Sequence, residues 1–168
     1  MKTIVVSLLV FVSLATNAQS FGIRTGYSLT PAEYVSIRYE HWANSLINLS
    51  ITTFMERNKF NRLNYFCYGA DLLAEYSRFR DVSAMPFFSW RGGLGATWQI
   101  ECEPWLYKDL SFSKRMNYGF ACEGVAECNL TEYFRLSLFA QQKLLFRKQL
   151  GSTRFCFGLG LTYNLPSW

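Results

Sequence analysis

Between residues 134 and 146 the chain separates into two chemistries when every second residue is taken. The even positions are Phe134, Leu136, Leu138, Ala140, Gln142, Leu144 and Phe146; the odd ones are Arg135, Ser137, Phe139, Gln141, Lys143, Leu145 and Arg147. A period of two is the signature of an extended strand, whose successive side chains point to opposite faces. The same split recurs along most of the chain, which restricts the fold to one built from two-faced strands.

The first eighteen residues stand apart from this pattern. Lys2 supplies a positive start, Ile4 to Ala15 an apolar run, and Thr16-Asn17-Ala18 a small-residue cleavage site, as in a secretory signal peptide. The run is too short and wrongly flanked for a retained membrane helix. Cleavage at that site starts the mature chain near Gln19, and losing Lys2 lowers the net charge from +5 to +4. The remainder, residues 19–168, fits a single domain. Its modest positive charge does not argue for direct nucleic-acid binding. Aromatic residues make up 18% of the sequence and favour strands.

Turns read from Gly, Pro, Asn and charge clusters divide the domain into eight strands. They are expected near Phe21–Leu29, Tyr34–Trp42, Ile47–Arg57, Leu63–Arg78, Phe87–Glu101, Asn117–Leu130, 134–146 and Arg154–Leu165, with the longest loop from Cys102 to Met116. In the fifth, Phe88, Trp90, Leu94, Ala96, Trp98 and Ile100 oppose Ser89, Arg91, Gly93, Gly95, Thr97, Gln99 and Glu101.

Alternation alone leaves open which face is inside. A lipocalin-like soluble barrel turns the apolar face inward and a membrane barrel turns it outward. The glycines favour the second: most share the polar face, where an eight-stranded barrel has room for little more than side chains. The bulky aromatics are read onto the opposite face. The polar face carries both signs of charge, Arg24, Arg38, Arg91, Arg135 and Lys143 with Glu40, Glu56, Asp71, Glu75, Glu123 and Glu127. Gly160-x-x-Tyr163-x-Leu165 also resembles the terminal-strand signal read by outer-membrane assembly machinery. The expected fold is an all-β, eight-stranded, antiparallel up-and-down transmembrane barrel of outer-membrane type, located in the cell outer membrane.

With both ends periplasmic, the connections at 30–33, 57–62, 102–116 and 148–153 face outward, and those near 43–46, 79–86 and 131–133 face the periplasm. The outer rim then collects Lys59, Arg62, Lys108, Lys114, Arg115, Arg147, Lys148 and Arg154, cations suited to outer-membrane lipid and lipopolysaccharide phosphates. Trp105, Leu106 and Tyr107 in the long loop form an apolar cluster, either a contact site or part of an aromatic girdle on the rim.

Catalytic and metal chemistry finds little support. His41, the one histidine, shares a face with Val35, Ile37 and Tyr39 that carries no serine or acid, so an interfacial place suits it better than a triad. Cys122 and Cys128 share a face but lie about 20 Å apart along a strand. That excludes a joint metal or a disulfide, which needs Cα atoms within about 7 Å. Cys67 and Cys156 are expected in the lumen on strands that are not neighbours, and Cys102 at a loop edge. Glu123 and Glu127 could imitate a paired acid and base. A salt-bridge ladder with Arg91, Arg135 and Lys143 accounts for them better and makes the barrel plugged rather than open. No catalytic residue, metal or cofactor is implied.

Two stretches resemble the conjugal transfer protein TraO family. The first is Tyr68-Gly69-Ala70-Asp71-Leu72-Leu73 with Tyr76, Phe79-Arg80-Asp81-Val82, Pro86, Phe88 and Gly92-Gly93. The second is Tyr118-Gly119, Ala121, Glu123, Glu127, Leu130-Thr131-Glu132-Tyr133-Phe134, Leu136, Leu138 and Gln141; Phe157-Gly158-Leu159-Gly160-Leu161 also fits. The family is encoded on conjugative transposons of Bacteroidetes. The resemblance implies a non-enzymatic outer-membrane component of a conjugative DNA-transfer apparatus, with other proteins of that apparatus as partners. A small structural or adhesion barrel binding envelope or surface partners is the alternative.

Overall fold

A computed structural model describes residues 20–29, 32–43, 46–58, 65–77, 88–103, 113–146 and 152–165. The expected signal peptide and the loop residues Trp105, Leu106 and Tyr107 lie outside them. Eight strands follow in order: β1 (Ser20–Ser28), β2 (Ala32–Trp42), β3 (Ile47–Asn58), β4 (Tyr65–Ser77), β5 (Phe88–Glu103), β6 (Ser113–Asn129), β7 (Phe134–Leu145) and β8 (Thr153–Asn164). Each pairs antiparallel with the next, and β1 with β8, to close a barrel.

The register fixes the barrel's shape. The hydrogen-bonded path Ala32–Ser28–Cys156–Gln141–Glu123–Gly93–Glu75–Asn48–Trp42 circles the wall once and returns to β2 ten residues further on (42 − 32). A ten-residue displacement of roughly 33 Å along the strands over an interstrand path of about 38 Å perpendicular to them tilts the strands by about 40°. Such a small, strongly coiled sheet brings neighbouring backbones together on its inner face. At Gly95 and Gly119 an added Cβ would overlap the carbonyl oxygens of Leu72 and Leu144, so those inner positions require glycine.

Burial follows the two-residue period. In β2 the even positions from Ala32 to Trp42 are buried, whereas Glu33, Val35 and Ile37 are exposed. Outward-facing Ile23, Ile37, Leu94, Leu138 and Leu159 are all more than half exposed, while Arg24, Arg38, Glu40 and Lys143 inside are almost fully buried. That inverts a water-soluble protein and matches a barrel with lipid outside. Aromatics collect near both ends of the outer face. Tyr163 packs on Tyr133 and Phe134 at the end carrying Ser20 and Asn164 (the terminal end). Phe146 packs on Tyr118 and Phe120 at the opposite, loop end.

Three sequence expectations need correction. The sheet extends into the expected loop 102–116, because β5 reaches Glu103 and β6 starts at Ser113; strand pairing continues there, with Cys102 opposite Lys114 and Glu103 opposite Ser113. Cys102 is therefore a buried strand residue rather than a loop-edge one. Bulky aromatics are not confined to the outer face. Tyr34, Phe54 and Phe139 pack together inside with Cys67, Val125 and Cys156, because they share parity with the charged positions of their strands. At the 131–133 turn, the Thr131 hydroxyl oxygen accepts from the backbone N–H groups of Tyr133 and Phe134, at 3.2 and 3.0 Å.

Candidate functional site

Strands alternate, so every second residue enters a lumen too narrow for bulk water, and each charge placed there needs a partner inside it. The terminal half solves this with four arginines and four glutamates. Arg38, on β2, spans three of the glutamates: its Nε donates to Glu40 at 2.7 Å, one terminal nitrogen to Glu123 at 2.5 Å, and the other to Glu75. Arg24 forks onto both oxygens of Glu123, at 2.9 and 3.0 Å. Arg91 donates to Glu40 at 2.8 Å and to Glu127, and lies 3.2 Å from Glu75. Arg135 donates to Glu127 at 3.0 Å, Glu40 at 2.8 Å and the Ser20 hydroxyl at 3.0 Å. The planar guanidinium, with five donors, suits this many-to-many arrangement. Trp42 lies against Arg91 and Arg135, with its ring centroid 5.5 and 6.0 Å from their guanidinium carbons.

Above this network lies the aromatic layer. Tyr34 stacks on Phe54 at 5.9 Å and tilts against Phe139 at 5.6 Å, while Arg24 lies over Phe139 at 4.8 Å. The Lys143 ammonium sits 3.1 Å from the Phe54 ring centroid and 3.0 Å from an oxygen of Asp71, so it is held by a cation–π contact and an ion pair. Nearer the loop end Arg154 bridges Glu56 at 3.3 Å and Glu101 at 2.9 Å. Gln99 and Asn117 donate to Glu101, and the Cys156 thiol donates to Glu56 at 3.4 Å.

All eleven polar-face charges picked out in the sequence lie buried in these layers. Arg154 requires a correction: it is not an outer-rim cation but a buried lumen residue, 2% exposed, bound to two carboxylates. Its parity with Cys156, Gly158 and Gly160 carries that signal in the sequence, as the parity of Glu56 and Glu101 does for their membership of the network. Of the rim cations, Lys114 and Arg115 are exposed at the loop end of β6. Lys59, Arg62, Lys108, Arg147 and Lys148 lie outside the described residues.

The arrangement leaves little reactive chemistry in the described residues. Glu123 and Glu127 are each occupied by arginines and do not face each other as acid and base. His41 is half-buried near the terminal end of β2, with Leu49 opposite. No group of three or more His, Cys, Asp and Glu among the described residues is placed to hold a metal ion. All five cysteines are free thiols.

No family model and no curated protein matches the chain. Its fold does match solved structures. The N-terminal β-barrel domain of Pseudomonas aeruginosa OprF superposes with a TM-score of 0.69 at 12% identity, covering 89% of this chain and 98% of that one. Neisserial surface protein A gives 0.62 at 13%, covering 88% and 95%. Ail, the attachment invasion locus protein of Yersinia pestis, gives 0.58 at 13%, covering 88% and 97%. At such identities the likeness is one of architecture: the chain has the fold of the eight-stranded outer-membrane barrels.

Proposed function

We propose that this chain is a non-enzymatic outer-membrane barrel that acts through its rims, as one component of a conjugative DNA-transfer apparatus. The observation that carries the non-enzymatic reading is the lumen, where arginines, glutamates and aromatics engage one another across the whole bore. A side chain so occupied is poorly placed to act on a substrate, and fold alone does not decide function. The conjugative role rests on the TraO-like residues at 68–93 and 118–141. Exported behind the signal read at residues 1–18, such a barrel takes its place in the outer membrane, with lipid against its belt and apparatus partners at its turns and loops. Deleting the gene from the native host is expected to lower mating frequency strongly, with recovery on complementation. Unchanged transfer would remove the conjugative assignment.

A second reading has a specific observation behind it. Lys114 and Arg115 present adjacent exposed cations at the loop end, and Ail, of the same fold, has been crystallised with the heparin analogue sucrose octasulfate. A structural or adhesion barrel that meets anionic envelope or surface glycans would use that rim. Calorimetric titration with sucrose octasulfate distinguishes the readings: saturable binding abolished by Lys114→Ala/Arg115→Ala favours adhesion, and its absence leaves the conjugative reading ahead.

A further inference from the structure

Thr52, Asp71 and Thr97 form one row across the lumen wall: Thr52 is the register partner of Asp71, and Asp71 of Thr97. All three are at most 2% exposed. Asp71 engages one oxygen, which accepts from the Gln141 amide at 3.0 Å and lies 3.0 Å from the Lys143 ammonium. Its other oxygen, Oδ1, has no protein partner; neither do the Thr52 and Thr97 hydroxyls, nor the Gln141 Oε1. Four buried oxygens, on this row and on the Gln141 side chain that touches it, thus lack a protein partner. The Gln141 side chain reaches this row, its amide nitrogen donating to the other Asp71 oxygen.

The chemistry of these atoms selects the occupant. Asp71 Oδ1 and Gln141 Oε1 only accept, whereas each threonine hydroxyl can donate. A partner that donates to the first two and accepts from the hydroxyl hydrogens satisfies all four. A metal cation binds oxygen lone pairs but accepts no hydrogen bond, and Lys143 already neutralises Asp71, so an added positive charge would be opposed in a low dielectric. Water meets both demands. Buried water typically makes about three hydrogen bonds to such otherwise unpaired groups.

We propose that this row is a structural water site, in which each threonine reaches Asp71 Oδ1 through an ordered water and one of these waters also serves Gln141. The waters then join β3, β4 and β5 to β7 across the bore, in the layer where the ion networks thin out.

The sign of a near-isosteric substitution tests it. A buried hydroxyl with no partner is a burden, and its removal is neutral or stabilising; a hydroxyl that holds water is missed. Thr52→Val and Thr97→Val in the full chain are each expected to lower the urea unfolding midpoint in detergent or bilayer by roughly 0.5 M, and Thr→Ser to restore most of it. An unchanged or raised midpoint for both valine variants overturns the proposal. A crystal structure of the wild-type protein grown in rubidium chloride gives the second reading. A non-anomalous peak at hydrogen-bond distance from Asp71 Oδ1 and a threonine hydroxyl supports water. A rubidium anomalous peak there, or direct threonine–aspartate bonds with no peak, overturns it.

Discussion

Arg38 shows how much of the barrel's integrity rests on single side chains. It is fully buried and engages Glu40, Glu75 and Glu123, carried on β2, β4 and β6. Replacing both members of a buried pair by apolar groups is often harmless, but removing one leaves a charge stranded. Arg38→Met keeps much of the volume and removes the charge, leaving four glutamates to three arginines in the terminal half. We expect it to lower unfolding stability by about 3–5 kcal/mol, measured by urea titration of the folded protein in lipid vesicles. Exposed Arg115 marks the contrast: its replacement by alanine should change stability by no more than about 1 kcal/mol.

Strand β5 places two neighbouring residues in opposite environments, which makes it the element on which the membrane reading is tested. Leu94 is 71% exposed on the outer face, midway between Trp90 and Trp98. On a water-facing surface an arginine there would be nearly neutral; at the middle of a bilayer it should cost roughly 2–4 kcal/mol. Leu94→Arg is therefore expected to destabilise the protein by that amount in phospholipid vesicles, read from the urea midpoint. Gly95 faces inward, where a side chain would strike the Leu72 carbonyl. Gly95→Val should impair closure, seen as loss of the compact, heat-modifiable band on gels. Both faces of β5 are legible in the sequence, because parity alone assigns Trp90, Leu94 and Trp98 against Arg91, Gly93 and Gly95. Parity also assigns Tyr34, Phe54, Phe139 and Arg154 to the lumen, against the habit of placing aromatics in lipid and terminal cations at a rim. What parity cannot supply is partner choice: that Arg24 reaches Glu123 from β1 to β6 depends on the tilt and diameter of the closed barrel. The unpaired oxygens around Asp71 are invisible for the same reason, since they are defined by what fails to reach them.

At the scale of the whole molecule, the layers differ in how they close the bore. The terminal half is bridged by interlocked ion pairs, the middle by Tyr34, Phe54 and Phe139, and the loop end by Arg154 between Glu56 and Glu101. A hydrated ion crossing this path must separate guanidinium–carboxylate pairs in a low dielectric and then pass the layer that Tyr34, Phe54 and Phe139 fill, and the two barriers lie in series. Removing either one leaves the other standing. The wild-type protein should therefore show no steady conductance in planar bilayers, and Phe54→Ala should remain closed even though it opens space in the aromatic layer. Only a combined change, such as Phe54→Ala with Arg38→Met and Glu75→Gln, is expected to produce discrete current steps under applied voltage. Steady channels from the wild-type protein would show that the lumen opens as a whole, and would return the interior, rather than the rims, to the centre of its function.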